Sequence, residues 1–242
     1  MKKKIATAAL AALTLCAYPI GAYAAESAVS TSTTQSALRI EDISIKDWCA
    51  PAVRYVVSYG LMDYKNIGEN HIVFSPDIAV TRQEIAETLY RATKMVYPTL
   101  TNGEWGNGAK AQVMFDYADI DQNFLDGVEF CISMGVMTGD GKHYFHPKDN
   151  ITREEFAAVL TRYTKMMYRH NMIEEITQRT TLEKALSDQD EISDWAMASV
   201  AFCLNNQLMN GNSNGSFSPK GEITRTQTAQ VLYNLAPEKS KT

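Results

Sequence analysis

FSPDIAVTRQE, residues 74–84, recurs as FHPKDNITREE at 145–155 and as FSPKGEITRTQ at 217–227. Each copy runs Phe, any residue, Pro, three variable residues, Val or Ile, Thr, Arg, any residue, then Glu or Gln. Thr81 and Thr152 lie 71 residues apart, and Thr152 and Thr224 lie 72 apart. A near-constant period marks a repeat architecture and outranks any single-residue motif.

The motif has a physical meaning. Thr-x-x-Glu is a capping box: the Thr hydroxyl accepts from the backbone N–H three residues on, and the acid reaches back to the Thr N–H. Apolar residues follow each time: Ile85, Ala86 and Leu89; Phe156, Ala157 and Leu160; Ala229, Val231 and Leu232. A helix is therefore predicted to start at the same point in every repeat. Pro76, Pro147 and Pro219 hold the approach in an extended or turn backbone. Arg82, Arg153 and Arg225 fall at the first helical position, beside free backbone N–H groups, where an anion is well held. Capping explains the Thr and the Glu but does not require an Arg in all three copies.

Each repeat also predicts an earlier helix. Asp47 is placed to cap a helix through Trp48, Val53, Val56 and Val57 to about Tyr59, and Asp194 does the same ahead of Trp195, Val200, Cys203 and Leu204. In the second repeat the apolar set is Phe124, Val128, Cys131 and Ile132. The shared i, i+3, i+4 spacing gives one apolar stripe per helix and puts Val56, Cys131 and Cys203 in equivalent, buried positions. Leu61-Met62, Val136-Met137 and Leu208-Met209 follow, then a polar, Gly-bearing loop that leads back to Phe-x-Pro. One unit is thus helix, loop, helix, with a face too small to bury itself. Three units packed around a shared axis solve that problem.

Residues 1–24 read as a signal peptide, with MKKK as the positive end, an apolar core from Ile5 to about Leu15, and Ala22-Tyr23-Ala24 as a small-x-small cleavage site. Residues 25–39 are rich in Ser and Thr and read as a flexible tether. No later stretch is apolar enough to span a bilayer, so the mature chain is expected to be exported, without a transmembrane segment. The net charge is −5, and removing a leader with three Lys and no acid leaves −8, which argues against a nucleic-acid partner. Residues 97–114 hold Gly103, Gly106 and Gly108 and read as a loop. Met166 to Gln178 keeps a partly helical pattern, which would prolong the second helix of the second repeat.

Other chemistry is sparse. Cys131 and Cys203 fill a slot that is Val56 in the first repeat, which argues for buried apolar packing. A Cys131–Cys203 disulfide is the alternative, and Cys49 has no counterpart. His143 and His146 share a loop, but no third ligand is spaced for zinc. Asp119-x-Asp121-x-Asn123 opens like a calcium loop, yet Phe124 and Phe130 occupy the positions that need Gly and Glu. Neither a metal nor a cofactor is expected.

An Asp-Trp helix, a Gly-rich loop, Phe-x-Pro and then Thr-Arg-x-Glu resembles the S-layer homology (SLH) domain family. The resemblance covers three consecutive segments, 40–97, 115–168 and 186–237. It implies an all-α, pseudo-threefold bundle with three prongs, located at the cell wall or cell surface. It implies a non-catalytic role, with grooves that bind a wall glycan, either a pyruvylated secondary polymer or modified peptidoglycan. The residues it points to are Arg82, Arg153 and Arg225. Lys148 and Lys220 follow the motif Pro in the second and third repeats, where the first has Asp77. Gly139-Asp140-Gly141, Gly211 and Gly215 make the loops, and Trp48 and Trp195 stand at the helix starts. A glycan-acting enzyme is a second reading, which needs two carboxylates flanking one groove. A docking unit for another exported protein is a third.

Overall fold

The computed structural model describes residues 38–101, 111–170, 173 and 176–236. The expected signal peptide, most of the expected tether and Gly103, Gly106 and Gly108 fall outside the described residues. The described chain is mostly helical, with six α-helices: α1 Ala50–Ser58, α2 Arg82–Val96, α3 Leu125–Ser133, α4 Arg153–Arg169, α5 Asp194–Asn205 and α6 Arg225–Leu235.

Helices α2, α4 and α6 start where the Thr-Arg motif predicts. Thr81, Thr152 and Thr224 are their N-caps, and a full capping box closes each one. The two helices of one repeat are not the ones that pair. Helix α3 packs on α2, α5 on α4, and α1 on α6. The first helix of each repeat therefore lies on the second helix of the repeat before it, and the first repeat lies on the third.

The motif backbones meet at the centre. The N–H of Val80 donates to the carbonyl of Ile223 (3.0 Å), that of Ile223 to Ile151 (3.0 Å), and that of Ile151 to Val80 (3.1 Å). All three side chains are fully buried. These bonds form a closed cycle at the head of the three capped helices. Phe74, Phe145 and Phe217, which open the same three motifs, are likewise buried.

Val56, Cys131 and Cys203 have no solvent exposure, as the aligned stripes require. The three described cysteines are free. The Cys131 thiol points at the carbonyl of Ala86, and the Cys203 thiol at that of Ala157, its equivalent one repeat on. The two sulfurs face different helix pairs, so the fold leaves them unbridged.

Four expectations need correction. The first is the purely helical class. The first repeat has eleven residues between Met62 and Phe74 where the others have seven. The added length forms a hairpin, β2 Lys65–Gly68 and β3 His71–Val73, turning at Asn70 with φ 61°. Strand β1, Arg39–Ile40, adds parallel to β3 in the order β1-β3-β2, so Arg39, expected in the tether, is a strand residue. Second, Asp47 does not cap α1. Its carboxylate accepts from the N–H of Ser44, and the helix begins at Ala50 with Pro51 in its first turn, where a missing N–H costs nothing. Third, Ser193 rather than Asp194 is the N-cap of α5. Fourth, α4 stops at Arg169, and Ile173 and Ile176 turn back onto the core instead of prolonging the helix.

Candidate functional site

Each motif Arg leaves its own repeat. Arg82 donates from Nε to the carbonyl of Phe145 (2.8 Å) and from Nη2 to that of Thr138 (2.9 Å). Arg153 does the same to Phe217 (2.7 Å) and Asn210 (3.0 Å). Arg225 does so to Phe74 (2.7 Å) and, through Nη2, to Asp63. Each guanidinium also lies over the ring of that Phe, with Cζ 5.0, 4.7 and 4.6 Å from the respective centroids. The Arg of one repeat thus grips the loop of the next, and the third grips the first.

The same docking closes the helix N-termini. The N–H groups of Arg82 and Gln83 donate to the carbonyls of Asp149 and Pro147. Those of Arg153 and Glu154 go to Gly221 and Pro219, and those of Arg225 and Thr226 to Ile78 and Pro76. The third N–H of each helix goes to the capping Thr. The expected anion site on free helix N–H groups does not exist, because the neighbouring repeat fills it.

A second set of residues, absent from the sequence reading, fixes the loops. Asp42 accepts from the N–H groups of Phe74 and Ser75, Asp116 from those of Phe145 and His146, and Asp188 from those of Phe217 and Ser218. The middle residue of every Phe-x-Pro sits in the left-handed region, with φ 60° at Ser75, 59° at His146 and 55° at Ser218. A carboxylate holding both N–H groups offsets that strain. The three Asp lie 74 and 72 residues apart, which is the signal that could have found them.

Three clefts form between repeats, one beside each gripping Arg. The first, about 620 Å³, is bounded by Arg82, the Thr138-Gly139-Asp140 loop, His146, Arg162 and Trp195. The second, about 280 Å³, is bounded by Arg153, the Asn210-Gly211-Asn212 loop, Gln227, Gln230, Asn234 and Trp48. The third has only about 20 Å³ beside Arg225, with Phe124 at the Trp position. Gly139 and Gly211 sit where the two limbs of their loops converge. A Cβ would stand 2.5 Å from the carbonyl oxygen of Tyr144 in one case and 3.1 Å from that of Ser216 in the other. Tyr64 holds the matching position in the first repeat. There Arg91 bonds both Asp63 (2.6 Å) and Glu87 (2.7 Å) and fills the third cleft.

The open clefts differ in charge. Arg153 is buried, and its Nε, Nη1 and Nη2 all donate within the protein, Nη1 to Gln227. The rest of the second cleft's polar wall is amides. The first cleft holds two arginines. Arg162 spends only Nε, on the carbonyl of Val136, and Nη1 of Arg82 has no hydrogen bond among the described residues. Burial pulls Arg162 below its ordinary pKa, and the charge of Arg82 pulls it the same way. An anion between them relieves that repulsion. Arg162 was not read from the sequence, although Arg91, Arg162 and Asn234 each stand nine residues past the motif Arg.

Lys148 and Lys220, which the resemblance points to as ligand-binding, border neither open cleft. Lys148 pairs with Asp121 (3.2 Å), and Lys220 Nζ reaches Glu154 (2.5 Å) and Ser193 Oγ (2.6 Å). Both therefore tie a motif loop to the approach of the same repeat's first helix. Gly141 and Gly215 adopt φ 81° and 83° and shape their loops without bordering a cleft.

The carboxylates of the first cleft are already engaged. Glu155 closes the capping box on Thr152, and Asp149 faces His146. The backbone N–H groups of Lys142 and Tyr144 hold Asp140 below the usual carboxylate range, the opposite of what a general acid needs. Among the described residues, no group of three or more His, Cys, Asp or Glu is arranged to hold a metal ion, and no helix is long and apolar enough to cross a membrane.

Comparison with known proteins matches residues 116–157 and 185–229 to the S-layer homology domain. Three enzymes are similar over most of this chain. An amylopullulanase of Thermoanaerobacterium thermosulfurigenes is 29% identical over 79% of the chain. Exoglucanase XynX of Acetivibrio thermocellus is 26% identical over 79%, and an endoglucanase of a Bacillus species (strain KSM-635) is 26% identical over 86%. The aligned part makes up only 9%, 16% and 20% of those proteins, so the chain spans a fifth or less of each.

Proposed function

We propose that the chain, two segments of which match the S-layer homology domain, is a non-catalytic wall-binding unit of an exported protein. The three repeats form a pseudo-threefold bundle, and the first cleft holds an anionic wall glycan, either a secondary polymer or modified peptidoglycan. The observation that carries this reading is the pair Arg82 and Arg162, with unspent guanidinium donors bordering one open cleft beside an exposed Trp195. A carboxylate or phosphate bridges two such groups through charge-assisted hydrogen bonds, while the indole offers its face to a sugar ring. The second cleft, with its amides and Trp48, suits the uncharged part of the same polymer.

The test is sedimentation of the chain with purified wall, before and after acid removal of the secondary polymer. Binding that survives acid extraction and resists muramidase digestion overturns the glycan assignment. Binding lost on acid extraction assigns the secondary polymer, and binding lost only on muramidase digestion assigns peptidoglycan. Raised salt weakens binding in either case, because the contacts are partly exposed.

A further inference from the structure

Just outside the first cleft lies a row of exposed rings. Phe115 and Tyr144 are 70% and 42% exposed. Their centroids are 5.4 Å apart, and Tyr144 stacks on His146 at 5.8 Å with 27° between planes. His146 is also a wall of the first cleft, so the row and the cleft are one continuous surface.

The row rests on a scaffold that occurs three times. The N–H of Phe115 donates to the carbonyl of His143 (2.8 Å), that of Ser187 to Gly215 (3.0 Å), and that of Glu41 to Ile72 (2.9 Å). The Asp that follows each donor holds the Phe-x backbone. In the third repeat the positions of Phe115, Tyr144 and His146 are Ser187, Ser216 and Ser218. In the first they are Glu41, Val73 and Ser75. Two of three copies build the same backbone without any ring, so folding does not require the aromatics. They stand beside the first cleft, the largest of the three, on a backbone whose N–H groups are held by Asp116.

We infer that Phe115, Tyr144 and His146 form a sugar-stacking subsite that extends the first cleft outward, so that the ligand is a chain of several sugar units rather than a terminal group. Flat rings on a fixed backbone offer apolar contact at small entropic cost, and the C–H face of a pyranose is the complementary surface. The inference rests on the glycan reading of the first cleft.

The test uses polysaccharide fragments released from bacterial wall by mild acid and separated by length, with affinities measured by calorimetry. The variant is Phe115→Ser/Tyr144→Ser, which gives these two positions the side chains already present in the third repeat and keeps His146, a wall of the first cleft. Phe115→Ser alone is the second variant, should the double one melt early. The expected result is about a tenfold loss of affinity for long fragments with little change for the shortest. Equal affinity of variant and wild type at every length overturns the inference, as does an equal loss at every length. Unchanged glycan binding with a lost self-association assigns the row to a second copy of the chain and also overturns it. Wild-type protein that binds no fragment of any length overturns the cleft reading beneath it.

Discussion

The guanidinium of Arg225 lies over the ring of Phe74, 151 residues earlier in the chain, and donates to that residue's carbonyl oxygen at 2.7 Å. The contact joins the last repeat to the first. The third cleft beside it is filled by Arg91, Asp63 and Glu87. Arg225→Ala is therefore expected to cost stability, roughly 2–3 kcal/mol for the lost cation–π contact and charged hydrogen bonds, and to leave glycan affinity unchanged. Urea titration and wall sedimentation of one preparation check both halves.

On the proposed reading, Arg82 and Arg162, which border one cleft, hold the ligand. Arg162→Asn, which installs the residue that the second cleft has in Asn234, is expected to keep the fold and weaken binding of anionic wall polymer about tenfold. Arg82→Ala is expected to weaken it at least as much, at some cost in stability because Arg82 also grips the Phe145 loop. A ranking from Lys148 and Lys220 would instead put Arg153 and Arg225 ahead of Arg82, so binding isotherms of the single mutants separate the two accounts.

Asp188→Ala leaves two partly buried backbone N–H groups, those of Phe217 and Ser218, without an acceptor, and removes the anchor of a left-handed residue. The expected cost is roughly 2–4 kcal/mol. The same substitution at Asp116 is expected to cost as much and to loosen the first cleft, whose wall includes His146. Chemical denaturation of both variants, beside their glycan affinities, tests the pairing.

Burial pushes the Cys203 thiol up to about 12, with only a partial offset from Thr161. A thiol reagent at neutral pH is expected to label Cys203 at the rate of unfolding. Cys203→Val should change stability by less than about 1.5 kcal/mol. A reductant should leave the melting temperature unmoved.

Glu154 gives a pH signature. Burial would raise its pKa, but the hydrogen bonds from Lys220 and Ser193 outweigh burial and hold it below its ordinary value of 4.5. A lowered folded value means that its stabilisation is present above the unfolded pKa and is lost as pH falls through the folded one. The melting-temperature advantage of wild type over Glu154→Gln should be full near neutrality and shrink below about pH 4.5. A difference that stays constant into acid would assign the effect to packing.

The helix starts were legible because a capping box is local: Thr81 and Glu84 are three residues apart and describe their own hydrogen bonds. Arg82 was legible as a recurring residue but not in its direction, since its partners, Phe145 and Thr138, stand in the next repeat. For the same reason the sequence does not show which loop each arginine faces: the guanidinium beside the loop of the first repeat is that of Arg225. Asp42, Asp116 and Asp188 went unread because an acid about thirty residues ahead of its Phe has no local signature. Only their spacing against the repeat exposes them. Lys148 looked like a free cation because its partner, Asp121, is brought to it by folding alone.

The cycle through Val80, Ile151 and Ile223 has no first member. A stacked solenoid can lose a terminal unit and keep the others, but a closed ring cannot, because removing any one repeat opens two seams at once. A permuted chain that begins at the second repeat and finishes with the first, joined by a linker, keeps all three members of the cycle and is expected to fold, which its melting curve checks.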